Sequence, residues 1–280
     1  MRIKLFCFLS ILPIISLRAQ TITCSPENRN AVDAKIEEIK GIHHDETGDL
    51  LVAIGRTFIG TPYVAQTLET GSDESLVIDL EGLDCTTFVE NVLALGIIGK
   101  NPNPNFDEFV KKLEKIRYRD GKLKGYASRL HYFTEWVRDN EKKGLVKDIT
   151  AELGGTEISK ELNFMTDHRS LYPALKEENM YQEMIAVEES VKNQSLCVLS
   201  VEMLKENEAM IVSGDIIALA TSIEGLDVTH TGFAIRMPDN RIHLLHASSK
   251  GAVEISELPL VDYLKKIKKN TGVIMARPVF

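Results

Sequence analysis

Beyond its first twenty residues, the 280-residue sequence has no apolar run approaching the roughly 18 residues that a membrane-spanning helix requires. It also has no internal repeat, low-complexity tract or Gly/Ser-rich linker. These absences argue against stable membrane insertion and predict a single domain. Because 44% of the residues are hydrophobic, that domain has enough apolar material for a substantial core.

Basic residues are in the minority: 33 Lys and Arg stand against 41 Asp and Glu, a formal charge of −8. This balance argues against nucleic acid as a partner. The sequence also lacks His-Glu-x-x-His, paired Cys-x-x-Cys, Gly-x-Ser-x-Gly and phosphate-binding glycine motifs. We therefore expect no cofactor and no metal. The alternative is a zinc site, whose ligands would be His43-His44-Asp45-Glu46, or His243 with His246.

Residues 1–19 have the features of a secretory signal peptide, with a basic start, an apolar stretch and a plausible cleavage region. Cleavage after Ala19 would remove three basic residues and no acidic one, leaving a charge of −11. We predict an exported protein, periplasmic or secreted. Three of the four cysteines would remain: Cys24, Cys85 and Cys197. An odd number leaves at least one thiol unpaired, and the sequence does not decide whether Cys24 and Cys197 form a disulfide.

Apolar periodicity and turn residues predict helices first and an antiparallel sheet afterwards, an α+β fold. Pro238-Asp239-Asn240 predicts a hairpin turn. We interpret residues 20–280 as one domain with a mainly helical insertion at about 100–210. The expected helices are 29–41, 47–59, 85–98, 106–117, 128–142 and 178–192, and the expected strands 215–220, 229–237, 241–247 and 272–278.

Cys85 directly follows Asp84, at the point where a loop runs into a segment with helical apolar spacing. At a helix N-terminus, free backbone N–H groups and the helix dipole favour thiolate over thiol. The position therefore predicts a cysteine nucleophile, although an isolated cysteine is more often a small buried apolar residue.

A cysteine nucleophile needs a base, and histidine serves best near neutral pH. His230 begins a predicted strand in which alternation puts His230, Gly232 and Ala234 on one face, where small residues would leave room for the nucleophile helix and a substrate. His246 on the neighbouring strand can orient His230, whereas His243 points the other way. We therefore predict His230 as the base and His246 as the orienting residue.

Two segments are candidate ligand-binding regions. Residues 111–129 are basic within an acidic protein and are interleaved or followed by aromatic residues, which offer flat faces for sugars while Arg can grip a carboxylate. Residues 163–170 are similarly polar and aromatic, and form either a binding loop or a connector. The predicted substrate-binding residues are Asp84, Arg117, Tyr126, Arg129, Tyr132 and His168.

An ordered set of short motifs resembles the NlpC-type papain-like peptidoglycan hydrolases. It comprises Gly60-Thr61-Pro62-Tyr63, Asp84-Cys85, Gly214-Asp215-Ile216-Ile217, His230-Thr231-Gly232 and His246-Ala247. Thr86-Thr87 replaces the usual Ser-Gly after the cysteine, and Cys85 and His230 are 145 positions apart, farther than in a minimal member. With the segments 126–132 and 163–165, these departures make the chain similar to the N-acetylmuramoyl-L-alanine amidase-like branch.

The resemblance implies a papain-like core in which the Cys85 helix packs on the antiparallel sheet. It implies an amidase that cuts between N-acetylmuramic acid and the first L-alanine of muropeptides, including 1,6-anhydro forms. Cys85, His230 and His246 would form the triad, and the Tyr63 hydroxyl would lie near the oxyanion. A D-glutamyl endopeptidase of the same fold and a non-catalytic wall-binding module remain alternatives.

Overall fold

The computed structural model describes residues 21–69, 73–192 and 194–280. The predicted signal peptide lies outside these residues. Within them, no helix has the length and apolar character needed to cross a membrane. The helices are α1 (Pro26–Ile39), α2 (Thr47–Arg56), α3 (Cys85–Gly99), α4 (Phe106–Arg117), α5 (Phe133–Lys142), α6 (Phe164–Asp167), α7 (Glu178–Val191), α8 (Val201–Glu206) and α9 (Leu260–Leu264).

The strands are short in the first part of the chain and longer in the last third. They are β1 (Ile22–Thr23), β2 (Leu76–Val77), β3 (Val146–Asp148), β4 (Thr156–Ile158), β5 (Leu196–Val198), β6 (Ile216–Thr221), β7 (Val228–Arg236), β8 (Ile242–Ala247), β9 (Val253–Ile255) and β10 (Asn270–Pro278).

Six of these strands form one antiparallel sheet in the order β3-β10-β6-β7-β8-β9. Helix and antiparallel sheet are thus both present, as predicted. The β7–β8 hairpin turns where expected: the Asn240 N–H donates to the Met237 carbonyl oxygen, and Asn240 adopts a φ of 61°. The hairpin pairs Phe233–Arg236 of β7 with Ile242–Leu245 of β8. His230 lies near the start of β7, and His246 near the end of β8.

Helix α3 packs against the sheet on the face that carries Phe233. Phe88 meets Phe233 edge-on with ring centroids 5.8 Å apart, and Phe58 lies on the other side of Phe88. Eleven of the fifteen residues of α3 are buried, so the helix lies inside the molecule. The opposite face of the sheet carries Ala234 and Leu244 and packs against α9.

The region predicted as a helical insertion contains more strand than expected. Helices α4, α5 and α7 lie near their predicted positions, but α5 begins at Phe133 and not at 128, because Tyr126–Ser128 forms a separate 3-10 turn. Strand β3 joins the main sheet as an edge strand beside β10, and β4 pairs with β5. Runs of three residues are too short to show an alternation, which is why the sequence pattern does not reveal them.

Candidate active site

Cys85 is the first residue of α3, and Asp84 is its N-cap. The Asp84 carboxylate accepts the Thr87 backbone N–H at 2.8 Å, and the Thr87 hydroxyl oxygen accepts the Asp84 N–H at 2.9 Å. This reciprocal pair fixes where the helix starts. The predicted substrate-binding residue Asp84 therefore uses one carboxylate oxygen to cap the helix that carries the thiol.

The thiol of Cys85 is held against strand β7. The Thr231 hydroxyl donates to the Cys85 carbonyl oxygen at 2.9 Å. Burial raises the pKa of the Cys85 thiol and the Asp84 carboxylate adds to the rise, while hydrogen bonds from Thr231 and Thr86 oppose it. The helix N-terminus had predicted the opposite direction. Because desolvation outweighs the hydrogen bonds, the resting group is a neutral thiol that needs a base.

His230 and His246 form a direct pair. His230 Nε2 lies 2.5 Å from His246 Nδ1, and the two rings are nearly perpendicular, with centroids 4.8 Å apart. Burial lowers the pKa of His230 to about 4. Burial, followed by the charges of His230 and Lys250, lowers the pKa of His246 to about 3. Both rings are therefore neutral near pH 7, and His230 can accept a proton.

A glycine and a β-bulge set the position of this pair. The register pairs Phe233 with Leu245, which places Gly232 opposite His246. A Cβ at Gly232 would lie 2.9 Å from His246 Cβ and 2.7 Å from the Leu245 carbonyl oxygen. The β6–β7 register shifts just before His230, the kind of irregularity that redirects side chains beside active sites.

This geometry corrects one expectation about strand β7. We predicted that the small residues beside His230 make room for the nucleophile helix, but α3 lies on the opposite face, against Phe233. Gly232 makes room for the His246 side chain instead. Thr231, between His230 and Gly232 in sequence, is the residue that bonds to Cys85.

The structure places His246, and not His243, beside His230. His243 Nδ1 lies 2.7 Å from the Ser256 carbonyl oxygen, and its Nε2 lies 3.1 Å from Asp239 Oδ2. Both of its ring nitrogens are thus engaged away from the thiol. Over the described ranges, no group of three or more His, Cys, Asp or Glu side chains is arranged to hold a metal ion.

Two tyrosines lie near the thiol. The Tyr63 N–H donates to the Gly251 carbonyl oxygen at 2.8 Å, and the pKa of its hydroxyl is raised by burial and by the charges of Cys85 and Asp84. Tyr263 of α9 meets His246 edge-on at 5.7 Å, and burial, Glu254 and Cys85 raise its pKa. Sequence reasoning missed Tyr263, because its five-residue helix has no motif that links it to the site.

Arg117 and Tyr132, both predicted to bind substrate, are instead buried structural residues. Arg117 donates to Glu90 and to the Val77 carbonyl oxygen, each at 2.6 Å. The Tyr132 hydroxyl donates to Glu188 at 2.7 Å. Arg117 is 2% and Tyr132 1% exposed, so neither can reach a ligand at the surface. Arg117 joins α4 to α3, and Tyr132 joins the start of α5 to α7.

Tyr126 and Arg129, in and just after the 3-10 turn at 126–128, contact the loop that follows Tyr63. Arg129 donates to the Leu68 carbonyl oxygen at 3.1 Å, forms an ion pair with Glu69, and lies over the Tyr126 ring at 4.8 Å. Both side chains are buried. Their contacts support the loop after Tyr63, and this structural role accounts for their position.

His168 is the exposed member of the predicted substrate-binding set. Its ring stacks on Phe164 at 4.0 Å, and its Nδ1 lies 2.9 Å from the Phe164 carbonyl oxygen. The segment that carries His168 is bonded to the loop that precedes β7. The Asn163 and Phe164 N–H groups both donate to the Gly225 carbonyl oxygen at 3.1 Å.

Cys24, Cys85 and Cys197 all carry free thiols. The disulfide that the sequence left open between Cys24 and Cys197 is therefore not formed. Cys197 lies on β5 and Cys24 follows β1, and burial raises the pKa of each thiol. Neither thiol lies on α3 or on the β7–β8 hairpin, whereas Cys85 is bonded to Thr231, the residue after His230.

Comparison with known proteins finds solved structures of similar fold. Solved structures similar to the chain include an N-acetylmuramoyl-L-alanine amidase from Bacteroides uniformis, 36% identical, with a TM-score of 0.79 over 83% of this chain and 98% of that one. A Bacteroides fragilis protein named as a xylanase is 38% identical, with a TM-score of 0.75 over 80% and 98% of the two chains.

A Legionella pneumophila protein shares the fold at 21% identity, with a TM-score of 0.69 over 91% of this chain and 95% of that one. No curated protein sequence matches the chain. The model of the AmiA-like family, described as N-acetylmuramoyl-L-alanine amidase-like, matches residues 53–273. That range includes Cys85, His230 and His246, and the chain belongs to this amidase-like family.

Proposed function

We propose that this protein is a cysteine amidase with an NlpC-type papain-like core, which hydrolyses the bond between N-acetylmuramic acid and L-alanine. The observation that carries the proposal is the arrangement at β7. Thr231 bonds to Cys85, and the preceding residue, His230, pairs with His246. A thiol at a helix start, a neutral histidine and a second histidine that fixes the first are the parts that acyl transfer requires.

In the proposed mechanism, neutral His230 takes the proton of the Cys85 thiol, and the thiolate attacks the carbonyl carbon of the lactyl group. The Cys85 backbone N–H and the Tyr63 hydroxyl stabilise the oxyanion. His230 then gives its proton to the alanine nitrogen, which leaves and yields a thioester. Water activated by His230 hydrolyses the thioester and regenerates the thiol. His246 holds the His230 ring through both steps.

We infer a preference for small muropeptides, including 1,6-anhydro forms, because the insertion is bonded to two segments next to the site. On one side Arg129 anchors the loop that follows Tyr63. On the other, buried Asp227, three residues before His230, accepts hydrogen bonds from the Thr134 N–H and hydroxyl at 2.8 and 3.0 Å. We expect these two segments, held in place by the insertion, to limit access of intact peptidoglycan to Cys85. Export of the chain would bring it to this substrate.

Glycosidase chemistry, as the name of the Bacteroides fragilis relative suggests, would need two suitably spaced carboxylates at the cleavage site. The acidic side chains near Cys85 are Asp84, which caps α3, and Glu254, which lies beside His246. Neither arrangement favours cleavage of a sugar linkage over amide hydrolysis by the thiol. We therefore expect no release of reducing sugar from xylan.

Product analysis of a defined 1,6-anhydro-muropeptide tests the proposal. Wild-type protein should release the stem peptide with its L-alanine intact, and mass spectrometry identifies that product. Release of a shortened peptide that begins after D-glutamate would establish the endopeptidase alternative instead. Binding without hydrolysis, equal in wild type and Cys85→Ala, would identify a wall-binding module.

The restricted groove has its own test. We expect isolated muropeptides to be hydrolysed much faster than intact sacculi, because the insertion and the segments bonded to it restrict access of the peptidoglycan polymer. Equal rates on the two substrates would contradict this part of the proposal and leave the amidase chemistry standing.

A further inference from the structure

One buried polar atom of the catalytic pair has no partner. His246 is 1% exposed, and its Nδ1 is engaged with His230. Its other ring nitrogen, Nε2, makes no hydrogen bond to any described residue. Buried polar atoms without a partner are rare in folded proteins, and those that occur deserve a functional explanation.

Glu254 is the carboxylate placed to serve this nitrogen. Glu254 Oε1 lies 3.9 Å from His246 Nε2, and the β8–β9 register pairs the two residues directly. The Glu254 side chain is 45% exposed, so its carboxylate is free to rotate. Tyr263 lies edge-on to the same ring. The unpartnered nitrogen thus lies near one partly exposed carboxylate.

The proton positions follow from the pairing. His230 Nε2 is engaged with His246, so Nδ1 is the nitrogen left to take a proton from the thiol. A His230 that accepts at Nδ1 carries its own hydrogen on Nε2 and donates it to His246 Nδ1. His246 must then hold its hydrogen on Nε2, which is directed toward Glu254.

We propose that Glu254 is a positioning residue that accepts the His246 Nε2–H and completes a relay from Cys85 through His230 and His246. This inference rests on the proposed function. At 3.9 Å the resting contact is too long for a hydrogen bond, and catalytic hydrogen bonds commonly tighten only when substrate is bound. The carboxylate then stabilises the positive charge that His230 gains when it takes the thiol proton.

Charged and titratable groups reach the histidine pair from every surrounding element. Lys250 disfavours a positive charge on His246, whereas a carboxylate that moves within hydrogen-bond distance favours one. Substitution of Glu254 alone should therefore shift the balance toward neutral imidazole. The groups are Cys85 and Asp84 from α3 and its cap, Tyr63 from the preceding loop, Lys250 from the β8–β9 turn, Glu254 from β9 and Tyr263 from α9.

Kinetics of Glu254→Gln test the relay. With the anhydro-muropeptide we expect kcat to fall about tenfold, the usual scale for a group that orients a catalytic ligand or base, with KM unchanged. The acid limb of the kcat/KM profile should move to lower pH by roughly half a unit, because the anion that favours protonated His230 is gone. Glu254→Asp keeps the charge and should restore the acid limb.

Glu257→Gln is the matched control, since it removes an exposed carboxylate three residues along the same chain segment. It should leave kcat and the pH profile unchanged. A wild-type kcat and acid limb in Glu254→Gln would overturn the relay. A raised KM with unchanged kcat would also overturn it, because it would make Glu254 a substrate contact.

A measurement without substrate separates failure of the relay from failure of the proposed function. ¹⁵N NMR of the histidine rings at neutral pH should show His246 protonated on Nε2, with a signal that shifts in Glu254→Gln and not in Glu257→Gln. The Nδ1–H tautomer of His246 would overturn the relay. If wild-type protein fails to cleave the muropeptide while the tautomer and its dependence on Glu254 are found, the substrate proposal is the part that fails.

Discussion

Helix α3 contributes to two buried polar clusters that differ in how completely their atoms are bonded. Around Glu90, both carboxylate oxygens are satisfied: one accepts from Arg117 at 2.6 Å and the other from Trp136 at 3.2 Å. Around Cys85, five residues earlier, burial opposes charge on the thiol and on both histidines. The first cluster joins helices α3, α4 and α5, and the second holds reactive groups.

The difference explains why residue types alone misassigned Arg117. An arginine among aromatic residues is equally suited to grip a substrate carboxylate or to neutralise a buried one. Arg117 does the latter. A buried ion pair in which both carboxylate oxygens are bonded serves as a scaffold, whereas the groups around Cys85 are neutral at rest and are free to exchange protons with a substrate. Experiments on the two clusters should therefore give opposite phenotypes.

The largest effect is expected for Cys85→Ala, which removes the proposed nucleophile and leaves the Glu90 cluster intact. Hydrolysis of the muropeptide should fall by roughly 10³-fold or more. The midpoint of thermal unfolding, measured by circular dichroism, should stay within a few degrees of wild type. Residual activity near the wild-type level would remove the thiol from the mechanism, and Cys197→Ala serves as a control that keeps full activity.

Arg117→Met should have the opposite phenotype. It leaves the Glu90 carboxylate buried and uncompensated, and loss of one partner of a buried pair costs about 3–5 kcal/mol in free energy of unfolding. Urea denaturation measures this loss, and the protein that remains folded should retain its kcat.

Lys111→Ala, which removes an exposed cation from the same helix, is the control and should be nearly neutral. Replacing both partners, with Arg117→Met and Glu90→Leu, should cost less than Arg117→Met alone. A loss below about 1 kcal/mol for the single variant would contradict the view that the Glu90 cluster is structural.

Gly232→Ala tests whether the backbone beside His246 sets the histidine pair. The added Cβ would lie 2.9 Å from His246 Cβ and 2.7 Å from the Leu245 carbonyl oxygen, so strand β8 must shift and carry His246 with it. We expect kcat to fall about tenfold, because an orienting group is displaced. Gly99→Ala, whose added Cβ would meet its nearest neighbour at 3.5 Å, is the matched control. Equal activity in the two variants would show that the close approach at Gly232 is unimportant.

The smallest effect concerns stability and pH. Burial lowers the pKa of His230 to about 4 and that of His246 to about 3, whereas both titrate near 6.5 in an unfolded chain. Below pH 6.5 the unfolded state binds more protons, so this contribution to stability is complete above pH 6.5 and is lost as pH falls toward 4.

We therefore expect the thermal midpoint to fall by a few degrees less between pH 7 and pH 4.5 in a His230→Gln, His246→Gln double variant than in wild type. Differential scanning calorimetry at several pH values measures the difference. Parallel pH curves for the two proteins would mean that these histidines have ordinary pKa values in the folded state.

Much of the local structure near the site could be predicted from the chain. Helix α3 begins at the expected residue because Asp84 and Thr87 are spaced for a capping box, and the β7–β8 hairpin follows from Pro238, Asp239 and Asn240. Alternation within β8 was enough to select His246 over His243. These features depend on residues within a few positions of one another.

The features that alternation and charge did not predict depend on residues far apart in the chain. The packing of α3 on the Phe233 face depends on how the whole helix docks, and Tyr263 approaches His246 from a helix seventeen positions away in sequence. The burial of Arg117 depends on Glu90 of another helix. A local pattern has no information about such contacts.

The sequence by itself determined that a cysteine stands at a helix start, that two histidines lie on adjacent antiparallel strands, and that the chain resembles a family of amidases. Only the tertiary structure decided that the thiol is neutral at rest, that Gly232 gives His246 its place, and that Glu254 faces an unpartnered nitrogen. Secondary structure follows from neighbouring residues, whereas desolvation and proton affinity depend on everything that the fold brings around a group.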